Sequence, residues 1–232
     1  MPDVDEWKRV MPAWLLAHAS YQGRLYGVPA TIHRINTTYY NKQVFSAHGL
    51  TPPRSLEEFW RAGEKLRADG VPLLSLGVSE PWALCWLIFE SILVAQEGMQ
   101  FYDDYFHGRT APDDPRMVRT LKSALRLKRY INRDWRDLTW LKAADRVTLG
   151  LAAMTTVGDW MSVYAPNGLR DDDPRIGEMP FPGSENVFVF AGDVFSLPVE
   201  ASNRVGALRL LATLGSAQGQ RVLARSKGCL SP

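Results

Sequence analysis

One helix stands out from the apolar and polar pattern of residues 55–70. Ser55 and Glu58 form a capping box, in which each side chain satisfies an open donor at the start of a helix. Gly70 is typical of the residue just after a helix end. Between them, positions suited to a core recur every three or four residues: Leu56, Phe59, Gly63 and Leu66. The pattern therefore predicts an amphipathic helix that ends at Gly70.

Four further helices follow from the same signals. Asp114 is an N-cap, and Pro115 takes the first turn after it. The spacing in this helix predicts a buried apolar stripe of Val118, Leu121 and Leu125. Another helix begins at Thr139, and the last two cover residues 202–215 and 216–228.

The longest apolar run covers residues 81–97. Glu90 interrupts it, and it falls short of the roughly 20 apolar residues that a membrane-spanning helix requires. We therefore expect a buried helix whose core includes Trp86 and the thiol of Cys85. Trp82 lies in the first turn after a loop, where an indole ring can stay partly exposed.

Extended segments lie between these helices. β-Branched and aromatic residues mark 24–42, and short apolar runs mark 71–77 and the small-residue stretch from 150 onwards. Residues 185–198 predict two short strands with Gly192 and Asp193 between them. Strands that alternate with helices favour an α/β fold with largely parallel sheets.

Composition excludes several classes of protein. The chain has 232 residues, 46% hydrophobic and 22% charged, with a net charge of +2, as in an ordinary globular protein. So small a net charge does not favour nucleic acid or a membrane as a partner. Eight Trp is a high count, and indole faces suit a core, a protein interface or the apolar face of a sugar.

No common catalytic or cofactor motif is present. The sequence contains no phosphate-binding Gly-rich loop, nucleophile elbow, zinc-protease motif or paired-cysteine motif. The acidic runs at 3–6 and 171–173 lack the EF-hand pattern, so we predict no metal and no cofactor. The basic residues between 116 and 136 are interpreted as a solvated helix face, with phosphate contact as the weaker alternative.

The pair Asp159–Trp160 is harder to explain as plain structure. A carboxylate accepts hydrogen bonds from two sugar hydroxyls, and an indole covers the C–H face of a pyranose. Small residues before the pair would let this loop pack tightly. From its residue type alone, His33 is interpreted as a structural histidine at a strand end.

The order of these segments resembles the extracellular solute-binding proteins of bacterial ABC sugar importers. The resemblance begins with GRLYGVP at 23–29 and YYNK at 39–42, followed by Gly49-Leu50, Pro53, EEF at 57–59 and Pro72-Leu73. It continues with LGLAAMTTVGDW at 149–160, the segment 192–220 and KGCLSP at 227–232. The first segment looks most like the glucose- and galactose-binding branch.

The resemblance implies an α/β, periplasmic-binding-protein-like two-lobe fold of type II. Residues 1–38 would be part of lobe I with a hinge crossing, 39–189 most of lobe II, and 190–232 the return to lobe I. No basic and apolar leader is visible at the start, so both ends are expected to be cut. The family location is periplasmic, and the implied partners are a sugar and the importer's permease subunits.

The resemblance also implies the site residues. Asp159 would accept sugar hydroxyls in an interlobe cleft, with Trp160 packed beside it. Lys227 and Asp193 lie at cleft-facing steps, and the family commonly carries a Lys at the second of these. His33 and Trp82 complete the expected ligand-binding set: Asp159, Trp160, Trp82, Lys227, His33 and Asp193.

The expected function is therefore binding of a monosaccharide such as glucose or galactose, by a monomer without catalysis. The alternatives are a truncated remnant that binds nothing and a carbohydrate-active enzyme that uses Asp159 as an acid or nucleophile. A third and weaker alternative is that the basic helix binds nucleic acid, and we predict no nucleic-acid partner.

Overall fold

The computed structural model describes residues 4–164 and 173–230. Backbone contacts divide the chain into two compact units: unit 1, Met1–His33 with Phe190–Pro232, and unit 2, Arg34–Val189. The sequence places the first boundary after residue 38, whereas the contacts place it after His33. Residues 171 and 172 of the acidic loop, and residue 3, lie outside the described residues.

Helices and short strands follow one another along the whole chain. In chain order they are α1 (Val4–Val10), α2 (Ala13–His18), β1 (Ser20–Tyr21), β2 (Arg24–Leu25), β3 (Gly27–Pro29), β4 (His33–Arg34), β5 (Thr37–Asn41), α3 (Lys42–Ala47), α4 (Leu56–Ala68), a π-helix (Ala83–Phe89), α5 (Glu90–Phe106), α6 (Pro115–Leu127), α7 (Trp140–Thr148), β6 (Met154–Thr156), α8 (Met161–Tyr164), β7 (Ile176–Pro180), β8 (Phe190–Ala191), β9 (Val194–Ser196), α9 (Arg204–Gly215) and α10 (Ala217–Lys227). Within the described residues, no helix is both long and apolar enough to span a bilayer.

Unit 1 joins elements from both ends of the sequence. Strand β3 pairs antiparallel with β9, with Val28 opposite Phe195. Trp7, buried in α1, packs in a core with Val28 and Leu211. A Cβ atom at Gly215 would overlap the indole of Trp7, so this close approach of α9 to α1 requires glycine.

Unit 2 is built on a three-stranded antiparallel sheet in the order β6-β5-β7. The buried segment around Leu74 lies beside it and forms parallel bridges to Met154 and Ile131. The prediction of largely parallel sheets is therefore wrong for β5, β6 and β7. Alternating strands and helices show only that a connection is long enough to cross over, and they do not fix the direction in which the chain returns.

The predicted helix ends are confirmed where a cap signal marks them. The Oγ atom of Ser55 accepts a hydrogen bond from the amide of Glu58 at 3.2 Å. The Glu58 carboxylate accepts from the amide of Arg54 at 2.7 Å, one residue before the cap. Asp114 and Thr139 likewise accept from amides in the first turns of α6 and α7.

The predicted apolar stripe of α6 is wrong. Its three members are exposed by 39%, 48% and 66%: Val118, Leu121 and Leu125. The buried face is instead Met117, Thr120 and Leu127. Met117 packs against Leu93 and Phe101 of α5, while the Thr120 hydroxyl donates to a backbone carbonyl at 3.0 Å. A hydroxyl satisfied within its own helix can be buried, so counting only apolar side chains selected the wrong face.

The apolar run from residue 81 is also less buried than predicted. It begins as the π-helix, which buries Ala83, Leu87 and Ile88 but leaves Leu84 and both Cys85 and Trp86 exposed. The hydrogen bonds of a π-helix join residues five apart, which widens the turn and rotates side chains away from the faces that α-helical spacing predicts. Trp82 is half-buried, as the sequence predicts.

Candidate functional site

Asp159 is held by the strand that enters unit 2. It lies in the loop after β6, and its amide donates to the carbonyl of Arg34 at 3.1 Å. In return, the amide of Arg34 donates to Oδ2 of Asp159 at 2.9 Å. The backbone and the carboxylate of this residue are therefore both tied to one point of the chain. Such a charge-assisted hydrogen bond orients the carboxylate before any ligand arrives.

Trp160 folds back over the loop that precedes it. Its six-membered ring lies against Gly158, where a Cβ atom would overlap three atoms of the indole. Gly158 therefore leaves the space that the Trp160 ring occupies. The Ser162 hydroxyl donates to the carbonyl of Asp159 at 2.9 Å, which helps to fix the start of α8.

Trp160 also lies at the centre of a group of four indoles, which we call the tryptophan cluster: Trp82, Trp86, Trp140 and Trp160. Its ring centroid is 5.9 Å from that of Trp82 and 6.3 Å from that of Trp140, in both cases edge to face. Trp86 extends the cluster at 6.1 Å from Trp82. Such edge-to-face pairs contribute about 0.5–1.5 kcal/mol each beyond burial of their area. The rings therefore support one another around the residue that follows Asp159.

The sequence missed two members of this cluster. Trp86 was expected in the core, but 48% of it is exposed, and Trp140 carried no signal beyond its position at the start of a helix. Glu80 was also missed, although its carboxylate accepts a hydrogen bond from the Trp82 indole at 2.9 Å. The high Trp count was the available signal, and spacing along the chain could not show which indoles meet.

Unit 1 contains a separate polar group around Asp193. Its Oδ2 atom accepts from Nζ of Lys227 at 2.6 Å and from the hydroxyl of Thr31 at 3.0 Å. The amide of Asp193 donates back to that hydroxyl at 3.0 Å. Burial works to raise the pKa of Asp193, but the hydrogen bonds from Lys227 and Thr31 outweigh it, with a smaller contribution from the charge of His33. The pKa of Asp193 therefore lies below its usual value, and the group is an ion pair.

The six predicted site residues thus fall into two groups. Asp159, Trp160 and Trp82 lie together in unit 2. Asp193 and Lys227 are paired in unit 1, where His33 is buried. No group of three or more His, Cys, Asp or Glu side chains suited to a metal ion occurs in residues 4–164 and 173–230.

The comparisons with known proteins agree with the family inferred from the motifs. The profile of the bacterial extracellular solute-binding proteins matches residues 1–221. An uncharacterised ABC transporter extracellular-binding protein of Pyrococcus horikoshii is 29% identical over 231 residues, which is 99% of this chain and 52% of that protein. A glucose-binding protein of Saccharolobus solfataricus is 25% identical over 236 residues, which is 92% of this chain and 41% of that protein. The chain therefore spans about half the length of the curated relatives it matches.

Solved structures show the same fold. One, from work on xylan utilization by the thermophilic bacterium Caldanaerobius polysaccharolyticus, matches 98% of this chain and 60% of its own, with a TM-score of 0.80 and 18% identity. A chitin oligosaccharide binding protein matches the whole chain and 60% of its own, with a TM-score of 0.77 and 22% identity. This chain belongs to the bacterial extracellular solute-binding protein family, and it has the α/β fold of that family.

Proposed function

We propose that this chain is the carbohydrate-binding part of the receptor of an ABC importer. The observation that carries the proposal is the Asp159 carboxylate, oriented by the amide of Arg34, in a residue followed directly by Trp160 of the tryptophan cluster. A sugar presents hydroxyl donors around its rim and C–H groups on its faces. A fixed carboxylate and a supported indole are complementary to these two kinds of surface.

Asp159, Trp160 and Trp82 are the contacts that we assign to unit 2. In unit 1, His33, Asp193 and Lys227 stay proposed sugar contacts. The ion pair between Asp193 and Lys227 keeps a charged acceptor and a charged donor in one place, at 2.6 Å from each other. Charged groups form stronger hydrogen bonds to hydroxyls than neutral groups do, so this pair suits a ligand rich in hydroxyls.

Within the carbohydrates, we propose a monosaccharide such as glucose or galactose. Similarity to the glucose-binding protein of Saccharolobus solfataricus supports this choice. Other relatives of the same fold are described as binding chitin oligosaccharide or raffinose, so the length of the sugar must be tested directly. The proposed mode is reversible binding without catalysis, in the periplasm, with delivery to membrane permease subunits.

The test is a thermal melt of the full chain with glucose, galactose, maltose, raffinose and chitobiose in turn. A ligand at 100 times its dissociation constant adds about 2.7 kcal/mol to stability. For a chain of this size, that corresponds to a rise in Tm on the order of 5–10 °C. We expect the rise with glucose or galactose.

Two variants and a matched control locate the site. Asp159→Asn and Trp160→Ala should abolish the rise, whereas Asp113→Asn, an exposed Asp outside the cluster, should keep it. A rise with the longer sugars alone would refute the monosaccharide. Release of reducing sugar that Asp159→Asn abolishes would instead support the enzyme alternative. A cooperative melt that no sugar shifts would refute the carbohydrate proposal for this chain.

A further inference from the structure

A strongly basic cavity of unit 2 lies where α4 ends and the segment after α6 begins. It has a volume of about 360 Å³. Four cationic side chains line it, and we call it the basic cavity: Arg67, Lys128, Arg129 and Arg133. None of the described residues that line it is Asp or Glu. Three of the four cations lie within residues 128–133, and the fold brings Arg67 of α4 to the same cavity.

One carboxylate serves two of these four cations. Glu64 lies 3.3 Å from Arg67 and 3.5 Å from Arg129, and it also accepts a hydrogen bond from the Tyr130 hydroxyl. Over the described ranges, the side chains of Lys128 and Arg133 have no hydrogen bond and no ion pair. Glu64 therefore pairs with Arg67 and Arg129, whereas Lys128 and Arg133 keep donors that are free to bind an anion.

Helix ends account for only part of this charge. Arg67 is in the last turn of α4, and Lys128 caps the end of α6, where carbonyl groups attract cations. Arg133 lies beyond both helices, so this effect does not explain it.

The segment that carries these cations is fixed at two points. The carbonyl of Tyr130 accepts from the amide of Leu74 at 3.2 Å. The amide side chain of Asn132 accepts from the amide of Leu76 at 2.7 Å and donates to its carbonyl at 3.0 Å. Both residues are buried, so the neighbouring cations project from a backbone that is already ordered. An anion that binds here would not need to order a loop first.

We infer that the basic cavity binds a tetrahedral oxyanion of the phosphate class. Lys128 and Arg133 supply the donors that no protein group uses, and Arg67 and Arg129 add a positive field beside them. The site lies outside the groups around Asp159 and Asp193, and it goes beyond the proposed sugar function. The oxyanion can be a free phosphate ion or the phosphate headgroup of a lipid, since both present the same oxygens to Lys and Arg.

The first experiment follows amide NMR shifts of Gly70 and Ile131 in the full chain during titration with sodium phosphate, with sodium chloride at matched ionic strength as the blank. The test variant is Lys128→Gln with Arg133→Gln, and the control of equal charge change is Lys122→Gln with Lys142→Gln. All four side chains are exposed, so both variants should fold, as their thermal melts will show. We expect phosphate binding to weaken about tenfold or more in the test variant only, a loss of about 1.4 kcal/mol.

Flotation with phosphatidylcholine vesicles, with and without phosphatidic acid, separates the two sources. If the chain floats with vesicles that contain phosphatidic acid, and free phosphate releases it, the ligand is a lipid headgroup. If the chain binds phosphate but does not float with these vesicles, the ligand is the free ion. Either result supports the site. The inference is overturned if phosphate causes no more shift than chloride, or if the control variant loses binding as much as the test variant. None of these outcomes depends on whether the chain binds a sugar.

Discussion

The contact between Gly158 and Trp160 gives the sharpest test of how the candidate sugar site is built. In Gly158→Ala, the new methyl group would occupy space that the indole of Trp160 now fills. The backbone φ of Gly158 is not in the left-handed region, so alanine can adopt it and the cost comes from the overlap. Overpacking of this kind costs typically about 1–3 kcal/mol. The ring must turn away, and its contacts with Trp82 and Trp140 are lost with it.

A double-mutant cycle isolates that contact. Trp160→Ala alone removes two edge-to-face pairs, worth about 1–3 kcal/mol together. Once the indole is gone, Gly158→Ala should cost little more, so the double variant should be about as stable as Trp160→Ala. The expected coupling is about 1–3 kcal/mol, within the range found for residues in contact.

Urea unfolding of the four proteins measures the free energies, and near-ultraviolet circular dichroism reports the loss of indole packing. Gly158→Ala should also weaken sugar binding about as much as Trp160→Ala does. Additive free energies would refute the reasoning, because the methyl group would then meet something other than the indole.

Three further predictions concern buried or paired polar groups. Burial raises the pKa of Glu90, despite the hydrogen bond from Tyr102. The folded protein therefore favours the protonated carboxyl, and the free energy of unfolding decreases as pH rises through that pKa. Glu90→Gln should therefore raise the Tm at pH 7 but not below about pH 4, the usual carboxyl range. The pKa of Asp193 is lowered, so its stabilising effect should be lost as pH falls below about 4, and Lys227→Gln should flatten that part of a Tm-against-pH curve. Asn41→Ala should cost about 2–4 kcal/mol in urea unfolding, since its buried side chain accepts from two amides of α3 and donates to a carbonyl of α7. An exposed cap, Ser55→Ala, should cost only about 1 kcal/mol, and equal losses would contradict this reasoning.

Local signals in the sequence predicted the starts of helices well. Ser55, Asp114 and Thr139 each act as the cap that the sequence predicts, because a cap depends only on a side chain and the amides two or three residues later. The faces of helices were harder to predict. The buried face of α6 depends on what α5 presents to it, and Thr120 can be buried only because its hydroxyl finds a carbonyl within the same helix.

The sequence singled out residues of the candidate site but did not show the contacts that hold them. Asp159 and Trp160 were singled out by their residue types and then by a family resemblance, whereas Arg34, which holds Asp159, lies 125 residues away in the sequence. The contact between Arg34 and Asp159 lies beside the paired strands β5 and β6, and the residues of one strand do not show which other strand is its neighbour. Likewise, the sequence showed the run of basic residues after position 115, but it did not show that some of them line one cavity with Arg67.

The division of the chain has a consequence for the order of folding. Unit 2 is one continuous segment of the chain. In unit 1, by contrast, Val28 pairs with Phe195, and all the residues of unit 2 lie between these two in the sequence. Closing so long a loop in an unfolded chain carries a large entropy cost. Once unit 2 has folded, the amide of Ile35 lies 2.9 Å from the carbonyl of Val189, so the two strands of unit 1 start from neighbouring points. On the ribosome, unit 2 is complete before α9 and α10 are made, and unit 1 can assemble only afterwards.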